Sequence, residues 1–205
     1  MENLGDDLEA RGLVYNPLDG RVRPEWAVAN DQLRDYYDYE WGALATTEAE
    51  FFERVCLEAL QAGLSWNLVL SKREALRAAF HNFDVDAVAA MTNEDIEQLA
   101  TNPSLIRNPR KLSALVNNAR AAQKLRDQGG LADFMKSFAP RPREQPLEST
   151  ADIPTSSPES AALARALKQA GFSFVGPTTC YALMQATGLV DDRVKGSSPL
   201  LPQVD

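Results

Sequence analysis

Thr47-Glu48-Ala49-Glu50-Phe51-Phe52-Glu53-Arg54-Val55-Cys56-Leu57-Glu58-Ala59-Leu60-Gln61-Ala62-Gly63-Leu64-Ser65-Trp66 is the stretch whose reading decides the fold. Thr47 and Glu50 have the spacing of a capping box, in which each side chain satisfies a backbone N–H that the first helical turn leaves free. Phe52, Val55, Ala59 and Ala62 follow at intervals of three and four, the period of a helix with one buried face, until Gly63 stops it. Ser65 then caps a second helix carrying Trp66, Val69, Leu70, Leu76 and Phe80.

Outward from this stretch the same signals repeat. A third helix starts at Asp84 or Asp86, and Thr92 with Asp95 caps a fourth before Ile96 and Leu99. A short polar hairpin, Asn102 to Arg110, leads into a helix with Leu112, Leu115, Val116, Ala119 and Leu125 that Gly129-Gly130 ends. Helix, tight hairpin, helix is therefore expected over about residues 93–127. Five prolines between Pro140 and Pro158 mark a long connection crossing between lobes. Ser157-Pro158 starts a helix with Leu163 and Leu167 inward, Gly171 ends it, and a last helix runs from about Thr178 to Thr187. Residues 1–22, with Gly5, Pro17 and Gly20, lack apolar periodicity and read as a flexible extension, and 199–205 as a tail. No alternating strand run, phosphate-loop glycines or repeat is visible, so the expected class is all-α, with one domain over 23–198.

Composition is that of a soluble globular protein, with 44% hydrophobic and 24% charged residues. No apolar run approaches the roughly 18 residues of a membrane span, and the start of the chain is acidic where a signal peptide is basic, so the expected compartment is the cytoplasm. Cys56 and Cys180 fall inside helices and read as small buried thiols. His81 is the only histidine, so a zinc site of four nitrogen or sulfur ligands would consume nearly all the candidates; at a helix end it reads as a C-terminal cap. A net charge of −8 argues against a polyanion partner, but Pro103 to Arg143 holds nine basic residues against two acidic ones, a local balance of +7.

Glu58 returns to the helical face of Phe51, seven residues earlier, and so lies along an apolar stripe where an unpaired charge is costly. Near a helix end it could instead snorkel outward or pair with an arginine. Trp26, Trp41 and Trp66, with Tyr36, Tyr37 and Tyr39, are ordinary core material one by one. Beside a buried carboxylate they make a box for a flat, electron-poor ring, such as a cationic purine.

Tyr36 to Gly42, Leu57 to Trp66, Ile153 to Ser156 and Gly171 to Tyr181 together resemble the DNA-3-methyladenine glycosylase I family, in order, over about residues 22–198. The resemblance implies a helix-hairpin-helix glycosylase fold of two packed helical lobes, acting on double-stranded DNA that contains alkylated purines. Such a protein would be a monomer, hydrolysing the N-glycosidic bond of 3-methyladenine without a cofactor. By position it implies that Glu58 accepts hydrogen bonds from the base, Trp66 stacks on it, and Trp26, Tyr36 and Trp41 line the pocket. Gly63 and Leu64 would wedge into the duplex, while the hairpin around Ser104 to Asn108, with Arg107, Asn108 and Lys111, would meet a phosphate. The family commonly ties its N-terminal segment to its C-terminal loop through a zinc held by two cysteines and two histidines. Here those positions are Pro24, Tyr37, Arg193 and Ser197, so the zinc is expected to be absent, with Arg193 stacked on or bonded to Tyr37 as one metal-free tie. Leu33 stands where a pocket tyrosine is expected, and Ser104 and Pro109 alter a hairpin in which glycine is usual. These departures keep open a second reading: a protein that binds a modified purine or damaged DNA with altered or lost excision.

Overall fold

The computed structural model describes residues 2–202. The chain forms two compact bodies, one comprising residues up to Leu44, Pro140–Thr155 and from Gln185 onward, the other Ala45–Ala139 and Ser156–Met184.

In the first body, α1 (Glu2–Ala10) leads to an antiparallel hairpin of β1 (Leu13–Asn16) and β2 (Arg21–Pro24), paired from Leu13↔Pro24 to Asn16↔Arg21. A 3₁₀ turn, Glu25–Val28, and α2 (Asp31–Tyr39) follow. The expectation of a loose extension over residues 1–22 is thus corrected. Pro17-Leu18-Asp19-Gly20 is a hairpin turn, closed by the Gly20 N–H donating to the Asn16 carbonyl at 2.9 Å and braced by the Asn16 and Asp19 side chains. Leu8 and Leu13 bury against Val194, with Val22, Leu147 and Ile153 packed around them. The C-terminal tail is likewise anchored as far as it is described: the Ser198 N–H donates to Val22 O at 2.8 Å and that of Leu201 to Asp38 O at 2.7 Å. Residues 203–205 lie outside the described part. At the centre of this body Arg23 (1% exposed) makes a two-pronged bond to Asp38 (3% exposed), Nε to Oδ1 at 2.9 Å and Nη2 to Oδ2 at 2.6 Å, with Asp19 on its other side.

The second body is helical: α3 (Glu48–Gln61), α4 (Trp66–Ser71), α5 (Arg73–Ala79), α6 (Val85–Ala90), α7 (Asn93–Thr101), α8 (Pro109–Leu125), α9 (Gly130–Lys136), α10 (Pro158–Gln169) and α11 (Pro177–Ala186). The capping boxes at Thr47/Glu50 and Thr92/Asp95 form, and Ser65 and Ser157 accept the N–H bonds that start α4 and α10. The helix expected from Ser65 to Phe80 is broken at Lys72 into α4 and α5. His81 opens a left-handed turn rather than capping α5, with φ of 51°, 54° and 57° at His81, Asn82 and Phe83, and the stacked rings of Phe80 and Phe83, 6.3 Å apart, hold it. Core packing centres on α3, whose Phe51, Phe52, Val55, Cys56, Leu57 and Leu60 are all buried, and on α8, through Leu112, Leu115, Ala119 and Ala122. Burial of this kind supplies about 1.5–3 kcal/mol per large side chain, enough to hold a few badly placed polar groups at a functional site.

Candidate functional site

Glu58 lies on the buried face of α3, only 4% exposed. No hydrogen bond or ion pair to its carboxyl is found among the described residues, so neither snorkelling nor an arginine explains it. Burial alone pushes its pKa up from 4.5 to about 8. The nearby Cys180 thiol of α11 feels the same surroundings and is pushed up to about 12, by burial first and to a lesser degree by Glu58. In the same body Trp66 is the first residue of α4, half-buried just beyond the Ser65 cap. Between them the chain turns at Gly63, whose φ of +77° lies in the left-handed region, while nothing crowds the position where a Cβ would sit. Its backbone angle, not lack of room, calls for glycine there. Leu64 follows, half-buried, with Leu68, Lys72, Ala100, Leu105, Ile106 and Arg107 lining an open groove of about 590 Å³ beside it.

The hairpin between α7 and α8 is set by asparagines. Asn102 accepts the Ser104 N–H through its side chain at 2.9 Å, and Asn108 caps α8 by accepting the Lys111 N–H at 3.2 Å. Asn108 thus spends its side-chain oxygen inside the fold. Ser104 and Leu105 also bond internally, leaving the N–H groups of Ile106, Arg107 and Arg110 without an internal acceptor among the described residues. Neither Ser104 nor Pro109 sits at positive φ, and Pro109 takes the first helical position, where its missing N–H costs nothing. The glycine replacements therefore leave the hairpin unstrained. Arg107 and Arg110 are exposed, with no ion pair among the described residues. Lys111 points inward instead: it is 6% exposed, and its Nζ donates to the carbonyls of Leu60 at 2.6 Å and Ala62 at 2.5 Å. Arg120, Arg126 and Arg143, from the same basic run, are also engaged internally, with the Ala89 and Met91 carbonyls, with Glu48 and Asp86, and with Asp192.

In the first body the rings of Trp26, Tyr36 and Trp41 come together. Trp26 lies 6.4 Å from Tyr36, 5.5 Å from Tyr37 and 5.8 Å from Trp41. Tyr37 and Trp41 are stacked at 5.6 Å, and the Arg193 guanidinium lies over the Tyr37 ring at 4.2 Å. The same guanidinium donates to the carbonyls of Tyr37 (2.7 Å), Trp41 (2.8 Å) and Ser198 (2.9 Å). Leu33, on α2, is buried. The Arg23–Asp38 pair, which ties β2 to α2, carries no local signal in the sequence, because its members lie 15 residues apart in different elements.

The second body is built on helix, hairpin and helix with a buried carboxyl on its core helix, an arrangement of the all-α glycosylase fold class on whose members the chain superposes. The methyladenine glycosylase family profile matches residues 26–199, and the chain belongs to that family. It is 47% identical over 173 residues to DNA-3-methyladenine glycosylase 1 of Escherichia coli K12, a match that spans 83% of this chain and 92% of that protein. A crystal structure of 3-methyladenine DNA glycosylase I superposes with a TM-score of 0.82 at 45% identity, covering 86% of this chain and 98% of that one. A point variant of such an enzyme, solved in complex with 3-methyladenine, gives a TM-score of 0.79 at 33% identity, covering 83% and 94%.

The residues at the family's zinc positions do not fit a zinc ion. Zinc takes lone pairs from thiolate, imidazole or carboxylate. The Pro24 side chain has none, Arg193 is a cation without an acceptor, and the Ser197 hydroxyl already donates to the Val194 carbonyl at 2.7 Å. Ser197 and Tyr37 thus offer only hydroxyl oxygens, outside the thiolate, imidazole and carboxylate set that zinc takes, and Arg193, over the Tyr37 ring, would repel a cation.

Proposed function

We propose that this chain is a monofunctional DNA glycosylase that hydrolyses the N-glycosidic bond of 3-methyladenine in alkylated, double-stranded DNA. It acts as a cytoplasmic monomer with neither cofactor nor zinc. The observation that carries this reading is Glu58: a carboxyl buried on α3 without a partner among the described residues, in a chain 47% identical to a named DNA-3-methyladenine glycosylase. No helix among the described residues is long and apolar enough to cross a membrane.

The chemistry suits so sparse a site. Methylation at N3 leaves the purine cationic, so breaking its glycosidic bond releases a neutral base and requires little acid assistance. Selection can then reside in binding. A carboxylate in a dry site favours a cationic ring over a neutral one, and aromatic faces add to that preference. Glu58 accepts hydrogen bonds from the base edge, Trp66 stacks on it, and Trp26, Tyr36 and Trp41 supply further aromatic surface. Gly63-Leu64 fills the space the flipped base leaves, and Arg107, with the free N–H groups of Ile106, Arg107 and Arg110, meets the phosphates. Water attacks the oxocarbenium-like sugar, and without a lysine nucleophile no strand cleavage follows.

Incubation of the protein with a duplex treated with a methylating agent is expected to release free 3-methyladenine and leave intact abasic strands. Tight binding of free 3-methyladenine without any release from DNA would select the binding-protein reading instead.

A further inference from the structure

Lys111 is spent in an unusual way for a basic residue at a DNA-facing helix start. A lysine stem ordinarily lets its ammonium snorkel to water, because full desolvation of that charge costs several kcal/mol. Here the head turns inward and lies between the Leu60 and Ala62 carbonyls. Both belong to the C-terminal end of α3, where the last carbonyls lack intrahelical partners and the helix dipole is negative. Two short charged bonds at that end offset the burial, and burial in turn pulls the amine's pKa down. The same residue's backbone N–H is held by the Asn108 cap of α8. Lys72 adds a second strut, its Nζ donating to the Pro103 carbonyl of the hairpin at 3.1 Å. One residue therefore joins the turn that carries Leu64 to the start of the helix behind the hairpin.

We infer that Lys111 is a positioning residue that locks the Gly63-Leu64 turn to the N-terminus of α8, fixing the spacing between wedge and phosphate anchor rather than binding phosphate itself. This rests on the glycosylase reading. Each lysine or arginine that neutralises a phosphate steepens the salt dependence of DNA binding by about one unit of slope. A positioning lysine leaves the slope alone and acts on flipping.

The test compares Lys111→Met with Arg107→Gln and Arg110→Gln. Binding to a duplex holding a stable abasic analogue is measured from low to high salt, alongside excision from methylated duplex and binding of free 3-methyladenine. For Lys111→Met the expected result is an unchanged salt slope, retained affinity for the free base, and excision kcat/KM lower by about ten- to a hundredfold. The loss should shrink when the lesion sits in a mismatch, which makes flipping cheaper. At least one arginine variant should lose about one unit of slope. A slope lowered by about one unit in Lys111→Met, or excision equal to wild type, overturns the proposal. Retained free-base binding shows that the variant is folded. Failure of wild type to excise would defeat the glycosylase reading while the salt slopes still judge Lys111.

Discussion

Replacing Glu58 by glutamine is expected to lower excision of 3-methyladenine by about a hundred- to a thousandfold, the scale of losing one preorganised electrostatic contact, while making the protein harder to unfold at pH 8. Both effects follow from the same burial. In the empty protein the carboxyl holds its proton up to about pH 8, whereas in the unfolded chain it loses it near 4.5. Between those values the native state carries one proton more than the unfolded state, so stability falls as pH rises through this window. Glutamine keeps the shape and cannot ionise, so its advantage in melting temperature should grow from pH 5 to pH 8 and then level off. Catalysis runs in the opposite direction. A cationic base is best received by the ionised carboxylate, so wild-type kcat/KM should rise about tenfold per unit of pH and flatten near the free enzyme's pKa of about 8. The variant's residual activity should show no such rise. A wild-type profile that is flat from pH 6 to 8, or a glutamine variant that excises normally, would remove Glu58 from the role given to it.

The helices were legible because they are built from local signals. Thr47/Glu50, Thr92/Asp95, Ser65 and Ser157-Pro158 each mark a helix start within a few residues, and each cap forms. Glu58 was legible for a related reason: seven residues place it on the face of Phe51 whatever surrounds that helix. Hidden features depend on partners distant in sequence. The hairpin Leu13–Pro24 contains an Asp-Gly turn that signals it, but strands of four residues offer too little alternation to stand out, and their core partners Val194, Leu147 and Ile153 lie far along the chain. The use made of the basic run is hidden for the same reason, since Lys111, Arg120, Arg126 and Arg143 find carbonyls or carboxylates 29 to 78 residues away. Charge in sequence counts cations; only the fold distinguishes those left over for a phosphate.

Where the residues at the family's zinc positions do not suit the metal, two arginines tie the chain ends in the first body. Arg193 brings the C-terminal loop onto α2 and the turn after it through the Tyr37 and Trp41 carbonyls and the Tyr37 ring, with a third bond to Ser198 inside the loop, and Arg23 locks β2 to α2 through Asp38. The two differ in cost if broken. Asp38→Asn leaves a guanidinium that is 1% exposed with Asp19 as its remaining charged partner, and the loss of one charge from a buried pair is expected to cost about 3–5 kcal/mol. Arg193→Met removes three charge-assisted bonds from a half-buried site; with solvent replacing part of them, the expected loss is about 2–3 kcal/mol. Urea unfolding of both variants measures these values. The metal-free character of the tie is read in the same experiment: a chelator added to the wild-type protein should leave its unfolding midpoint unmoved, and added zinc should not raise it. A midpoint that falls on chelation would mean that a metal, not Arg193, closes this end of the molecule.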